Sequence, residues 1–599
     1  MVDLADVNAI EPTAKPKGMI PKEEESTYTM VKRLLNMSKK HRELWDKDWN
    51  YNYSFVFSGN QWGPNRSKAR FSESVNLTWG GIMQETGIET DSEPQVEFPA
   101  EEPGDVQFSE VLKQINSRNW EKNDWNQKFC EAKMEAKVIH VVHTEVKWNP
   151  TLEGGLGDIE HVNLNPFYFY WDPQATCVED ARWLIYAPPT PTRELQIMYP
   201  DQEIKSDIDK LGMNSDAIYA GISSPSMDLG ATSSVTSTGL ENQSSGGEEL
   251  TKWIRVWIKD DATEEVYDGK EYIIKKKYPN GRYIECVNGR VVQDGGPGYR
   301  HQGEWIEYKL GCVLPLARLV NYAYPRRYAG GEEVTQLKGP QKLFNYVWSY
   351  CIDNFKASIN PKIVVSHAAG DIAEELTNEA NTQIIEVPDT NQIRFEYPPG
   401  VAPGISNLVD LSKNMLDYVR GSGEISGGRI PANASSGVFL ETSIEIEQTR
   451  SRLKARNAKS YLKKIGQLDL MFYLQFYTQP RVFRITNKEG FPEHVQFYIQ
   501  DTDQGRVANV GTMTPNGLTN QQQVPVKGTP DVRVDVGSGV PYAKAVKNEN
   551  AKNLYQMGAI DREALFNLID LPNKDAVLKR MLEAEAQQAQ AAAQQAQGG

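Results

Sequence analysis

Long apolar runs are missing from this 599-residue chain. None approaches the roughly 18–20 consecutive apolar residues that span a bilayer, so a helical membrane protein is excluded. Cysteine is scarce: Cys130, Cys177, Cys286, Cys312 and Cys351 are scattered and odd in number. That pattern fits reduced thiols in a protein made in a cytoplasm, not a disulfide framework. Basic charge is in deficit, 65 Lys and Arg against 80 Asp and Glu, leaving a net −15. Tight non-specific binding to DNA comes from neutralising phosphates, so such a chain is a poor general DNA coat. The deficit does not exclude a protein that lets DNA pass without gripping it. The opening MVDLADVNAIEPTAKPKG lacks the charged start and apolar stretch of a signal peptide. No repeat of about 20–50 residues occurs, which excludes solenoids and propellers.

Catalytic signatures are also absent. There is no HExxH, no GxSxG elbow and no Cys in a supporting His and Asn context. His140 and His143 in HVVHTE look like a ligand pair, but the segment reads as a strand, where positions i and i+3 face opposite ways. Asp172-Pro173 and Asp180 make no metal loop. The glycine-rich GSGEISGG has no following Lys-Ser/Thr and succeeds a helix, so it is neither a Walker A loop nor a Rossmann turn. The sequence points to no enzyme, no metal, no cofactor and no catalytic residue.

What the chain does have is length for several domains and abundant large aromatics, 13 Trp and 27 Tyr, common in cores and at subunit interfaces. Apolar spacing predicts helices over Ser26–Trp49, about 74–87 and about 107–136. Strands are expected at Val138–Trp148, Asn163–Trp171 and Trp183–Tyr186, and a helical turn at Glu194–Tyr199. The Ser/Gly/Thr-rich residues 213–248 are too poor in large apolar groups to offset their ordering entropy, and read as a mobile loop. Beyond them, Trp253–Lys259, Glu271–Lys277, Arg282–Val287 and Arg290–Gln293 read as an antiparallel meander, with Pro279-Asn280-Gly281 and Asn288-Gly289 as its turns.

Pro340–Ile359 reads as a rod about 30 Å long, with Phe344, Val347, Trp348, Cys351, Ile352, Phe355 and Ile359 apolar. Tyr346 and Tyr350 widen that surface beyond one face, so the rod needs more than one neighbour. Residues 361–401 form a small module of strands and a short acidic helix. Ser406–Arg420 is a second rod, with Leu408, Leu411, Met415 and Val419 facing one way and Gly421 as its stop. A Gly/Ser loop precedes a long helix, about Val438–Tyr477. Strands return at Val482–Ile485, Val495–Ile499 and Val532–Val536 around a polar, mobile Gly505–Gln523, and the chain ends in helices and an Ala/Gln tail. In the long helix, Arg450, Arg452, Lys454, Arg456, Lys459, Lys463 and Lys464 run without an acidic residue. Arg452, Arg456, Lys459 and Lys463 share one face. That face is either solvated and paired with a neighbour, or a phosphate contact.

The ordered motifs resemble a known family. They include Phe57-x-Gly59-x-Gln61-Trp62, Arg70, Asn76, Asn165-Pro166, Trp171-Asp172-Pro173-x-Ala175 and Tyr278-Pro279-Asn280-Gly281-Arg282. Gly330-Gly331 before Gln341 and Asn345, Ser436-Gly437 before Thr449-Arg450-x-Arg452, Asp531-Val532-x-Val534 and Leu554-Tyr555-x-x-Gly558-Ala559-Ile560-Asp561 follow. With the rod-module-rod layout, the chain resembles the portal, or head-to-tail connector, proteins of tailed bacteriophages, of the short-tailed type.

The resemblance implies an α+β, multidomain portal fold assembled as a ring, usually of twelve copies, at one capsid vertex. By analogy residues 1–24 are a flexible arm, 25–335 and 480–540 the wing, 336–360 and 402–421 the two stem helices, and 361–401 the clip. Residues 422–437 become the tunnel loop, 438–479 the long wing helix and 541–599 the crown. Implied partners are further copies of the chain, double-stranded DNA in the channel, the terminase large subunit, major capsid and scaffolding proteins and tail adaptors, with no membrane. The implied location is the virion, after assembly in the host cytoplasm. Lys356, Lys413, Arg429, Glu424, Gly427 and Gly428 are channel candidates. Asp371, Glu374, Glu375, Glu379, Asp389 and Arg394 are clip candidates for motor and adaptor docking. Rival readings are a metal-dependent nucleic-acid hydrolase using His140 and His143, or another head-tail adaptor or scaffold.

Overall fold

A computed structural model describes residues 26–62, 71–91, 93–99, 106–206, 249–259, 263–267, 272–301, 303–359, 362–366, 384–387, 394–396, 404–421, 437–486, 492–503, 505–514, 517–526, 532–535, 551–561, 564–565 and 568. Helices and sheets are mixed, as an α+β chain requires. The expectations for 213–248, for the acidic helix near 371–378 and for most of the Gly/Ser loop and tail fall outside these residues.

Eight helices carry the described architecture: α1 (Thr27–Phe57), α2 (Leu77–Glu89), α3 (Val106–Lys122), α4 (Trp125–Val138), α5 (Thr192–Met198), α6 (Val334–Ile359), α7 (Gly404–Arg420) and α8 (Gly437–Phe476). Ser26 caps α1 by accepting the Thr29 amide, and Asn76 caps α2 by accepting the Trp79 amide. The single helix expected over 107–136 is two. Asn123 turns its side chain back onto the Asn119 carbonyl, and Asp124 takes a left-handed φ of 50°, which breaks the ladder. The first rod starts earlier than its apolar pattern suggests, at Val334, and carries Pro340 in its second turn.

The largest sheet orders its strands 290–295, 282–287, 250–258, 183–186 and 169–171, with 189–191 paired to the other end of 250–258. Its Asn288-Gly289 hairpin turns as the sequence predicts, both residues at positive φ, 51° and 77°. A three-stranded sheet places 142–149 between 316–319 and 158–164. The strand expected from Val138 begins at Val142, and the one expected over Asn163–Trp171 is broken by a 3-10 turn at Pro166–Tyr168. Residues 505–523, read from sequence as mobile, instead form two strands, Gly505–Thr514 and Gly517–Pro525, of a four-stranded meander with 481–486 and 492–502. Polar side chains hid them: their ladder is held by backbone bonds, while among the described side chains Ala508, Val510 and Val524 join the hydrophobic core. Strand 362–366 sits between a parallel neighbour, 384–387, and an antiparallel one, 394–396.

Two main cores result. One gathers α3, α4, the second half of α8 and the meander around Trp120, Trp125, Phe129, Tyr461, Phe472 and Tyr473. The other packs α1 and the strand ends at 169–171 around Trp49, Phe55, Phe169 and Trp171. The pair 95–97 with 533–535 lies across α8 at Gly466, where a Cβ would come within 2.8 Å of Val96 and 3.0 Å of Val532. The second core also takes in Val334, the first residue of α6.

Candidate functional site: a two-helix rod with open apolar faces

The rods α6 and α7 pack along each other. Gln341 and Arg420 both reach the start of α2, so they run antiparallel. Phe344 on α6 and Ser412 and Leu416 on α7 are buried between them. A second side of α6 is polar at four-residue spacing, and each residue there holds the segment leading into α2. The Gln341 side chain accepts the Thr78 amide at 3.0 Å and donates to the Val75 carbonyl at 2.9 Å. Asn345 donates to Gln61 at 2.6 Å, Ser349 to the Phe71 carbonyl at 2.7 Å, and Asp353 accepts the Phe71 amide at 3.0 Å. The signal for this strap was present as Gln341, Asn345, Ser349 and Asp353, a polar stripe on an otherwise apolar helix.

The rest of the surface carries many exposed large apolar side chains, beside polar ones such as Asp410 and Asn414. Tyr346 is 58% exposed, Tyr350 52%, Phe355 65% and Tyr418 76%, and Leu343, Trp348, Ile359, Leu408, Leu411 and Met415 are also exposed. Of the stripe expected on the second rod, Leu408, Leu411 and Met415 stay exposed and Val419 is half-buried, while the neighbouring Ser412 and Leu416 are the buried positions. Among the channel candidates, Lys356 is exposed with its ammonium 5.0 Å from the Phe71 ring centre, and half-buried Lys413 lies 5.9 Å from that of Phe344. Glu424, Gly427, Gly428 and Arg429 lie outside the described residues, as do Asp371, Glu374, Glu375, Glu379 and Asp389. Arg394 begins an edge strand of the small sheet.

On α8, which also carries Arg450, the structure leaves Arg452, Arg456 and Lys459 exposed and Lys463 half-buried. Leu453, expected to supply apolar contact, is 49% exposed, whereas Tyr461, Ile465 and Leu468 are buried as expected. Lys454 parts from the run entirely. It is buried against Glu85, lies 2.5 Å from Glu333 and 3.7 Å from Glu89. Lys133 reaches Glu89 at 2.6 Å, and Lys137 reaches Glu85 at 3.2 Å and Glu89 at 3.3 Å. Three carboxylates and three ammoniums from α2, α4, α8 and the residue before α6 thus share one buried site. Burial opposes the charge on Glu333, but Lys137 and Lys454 outweigh it and hold the carboxyl down at about 2. The spacing i, i+4 of Glu85 with Glu89 and of Lys133 with Lys137 was the available signal, since like charges at that spacing destabilise a lone helix.

The histidines have protein partners. Trp49 donates to His140 Nδ1 at 2.8 Å, and burial brings His140 down to about 4 despite Asp48. His143 bonds Tyr328 at 2.8 Å and stacks on Phe169, and burial, then Arg318, keeps it neutral. His161 and Asp469 make a 2.8 Å pair with Trp120 donating to the same carboxylate, but both are fully buried, so no substrate reaches them. Among the described residues no three His, Cys, Asp or Glu side chains gather closely enough to hold a metal, and no helix is long and apolar enough to cross a membrane.

Residues 319–599, which include both rods, the small sheet and α8, match the family described as Phage P22-like portal protein. No curated protein matches the chain.

Proposed function

We propose that the chain, whose residues 319–599 match the P22-like portal family, is a phage portal protein of the short-tailed type that assembles as a ring of about twelve copies around a DNA channel at one capsid vertex. Portal proteins of this family are structural, not enzymatic, and belong to the virion capsid. The observation that carries the ring is the pair of uncovered faces on the rod. A single chain rarely leaves a contiguous apolar surface of this kind to water. A second copy covers it when the α6 face at Leu343, Tyr346 and Tyr350 meets the α7 face at Leu408, Leu411 and Met415 of the next. Such a head-to-tail contact closes into a ring when its rotation divides a full turn.

In this reading α6 and α7 are the stem, residues 361–401 the clip that meets the terminase motor and then the tail adaptors, and residues 422–437 the tunnel loop. Residues 25–335 and 480–540 are the wing, and 541–599 the crown. The exposed basic residues of α8 then meet an acidic surface of the neighbouring copy, and Lys356, Lys413 and Arg429 are the sparse cations along the channel. A net −15 per copy keeps the conduit from gripping DNA, since each neutralised phosphate adds salt-sensitive affinity. The same copies assemble in the host cytoplasm with capsid and scaffolding proteins. Deletion of residues 424–435 tests the division of labour: rings should form as before by negative-stain microscopy, while packaged DNA falls. Loss of the ring would make that segment architectural and overturn its assignment.

The hydrolase reading loses its residues, because His140 and His143 already serve Trp49 and Tyr328.

A further inference from the structure

The six-residue charge cluster lies on the helix where α7 ends, and it takes Lys454 from a point well inside α8. Residue 421 leaves α7, and α8 begins at Gly437. On the α7 side, Arg420 donates to the Leu77 carbonyl and fills the hollow above Gly81, where a Cβ would stand 2.0 Å from its guanidinium carbon. Asp417 balances its charge first, at 3.7 Å, and Glu85 and Glu333 next. On the α8 side, Lys454 rests on the same Glu85 and Glu333. Glu333 also roots α6, since its amide donates to the Lys137 carbonyl at 2.9 Å and its carboxylate accepts from Asn321 at 2.7 Å.

We infer that Glu85 and Glu333 are a shared counter-ion joint, through which α7 and α8 sense each other's position across the segment that links them. The physics is that of a buried, nearly neutral set of charges. Interactions between such charges are weakly screened, so removing one ammonium leaves an excess of carboxylate that the remaining cations must answer. Arg420 is the cation free to respond: its guanidinium sits at the edge of the set, held by one carbonyl and by the half-exposed Asp417. Drawn toward Glu85, it gives up the Leu77 carbonyl and loosens the last turns of α7. A shift of α8 that withdraws Lys454 has the same effect, so a displacement of α8 reaches the last turns of α7. This coupling is a property of one chain and goes beyond ring formation.

Hydrogen exchange on the full-length chain tests it, read on peptides covering residues 412–420 and 450–460. Lys454→Met should speed exchange at 412–420 at least about threefold, and adding Glu85→Gln, which removes the carboxylate that draws Arg420 away, should bring it back toward the parent rate. Glu85→Gln alone should not speed exchange there, so the effects of the two substitutions are not multiplicative. Leu462→Ala, buried on α8 away from the cluster, should speed exchange in α8 and leave 412–420 unchanged. Faster exchange in α8 alone for Lys454→Met, or a fully multiplicative double variant, overturns the joint. If Lys454→Met fails to fold, Lys454→Gln takes its place: both peptides must change together, and a change in only one refutes the inference.

Discussion

Replacing Tyr346 and Tyr350 by Asp should abolish assembly and spare the subunit. Just over half of each side chain is open to water, 58% and 52%. Full burial of a large side chain is worth about 1.5–3 kcal/mol, so covering these two open halves stabilises each subunit contact by about 1.5–3 kcal/mol. Two carboxylates in their place add the cost of desolvating unpaired charge, several kcal/mol more. The combined penalty, about 4–7 kcal/mol per contact, corresponds to roughly three to five decades in association constant. Inside the subunit the Tyr346 ring stands edge-on to Trp62, 5.2 Å between centres, and giving up that packing costs about 0.5–1.5 kcal/mol. Sedimentation velocity should therefore show a monomer where the parent chain shows a ring, with an unchanged far-ultraviolet circular dichroism spectrum. Rings of undiminished stability in the double variant would refute the reasoning that these faces are where copies meet.

Gln341→Leu leaves the buried Thr78 amide without its acceptor; it should cost about 1–3 kcal/mol in urea unfolding, and a cost below about 0.5 kcal/mol would discount the strap. Burial, with Glu131 adding to it, raises the Glu135 carboxyl to about 8 from its ordinary 4.5. The folded chain then holds a proton that the unfolded chain releases, so stability falls as pH rises from about 4.5 to 8. Glu135→Gln should remove that slope and gain on the order of 1–3 kcal/mol at pH 8, measured as the difference in unfolding midpoint between pH 5 and pH 8. Replacing Arg452, Arg456, Lys459 and Lys463 by Ala should lower the salt concentration at which rings dissociate, since exposed ion pairs contribute about 0.2–1 kcal/mol each. Intact rings with altered DNA retention would move that face to phosphate contact instead.

Local signals were legible in the sequence. The Asn288-Gly289 hairpin and the Gly421 stop, whose φ is 77°, depend on a few adjacent residues, and both stand where the sequence put them. The outlines of both rods were visible because apolar spacing repeats over several turns. Their phase was not: Leu408, Leu411 and Met415 form a stripe, but periodicity cannot say whether the partner rod or another molecule covers it. The strands of 505–525 escaped because an exposed meander needs few apolar residues. Lys454 read as one cation in a surface run because its partners, Glu85, Glu89 and Glu333, lie 369, 365 and 121 positions away in the chain. Pairings at that distance leave no trace in local pattern, and like-charge spacing on α2 and α4 was the only hint.

Native mass spectrometry of the full-length chain, near neutral pH and at micromolar concentration, tests the central claim most directly. The account predicts one dominant closed species at about twelve times the 67.5 kDa chain mass, near 810 kDa. A spectrum holding only the 67.5 kDa monomer at the highest concentrations reached would contradict it.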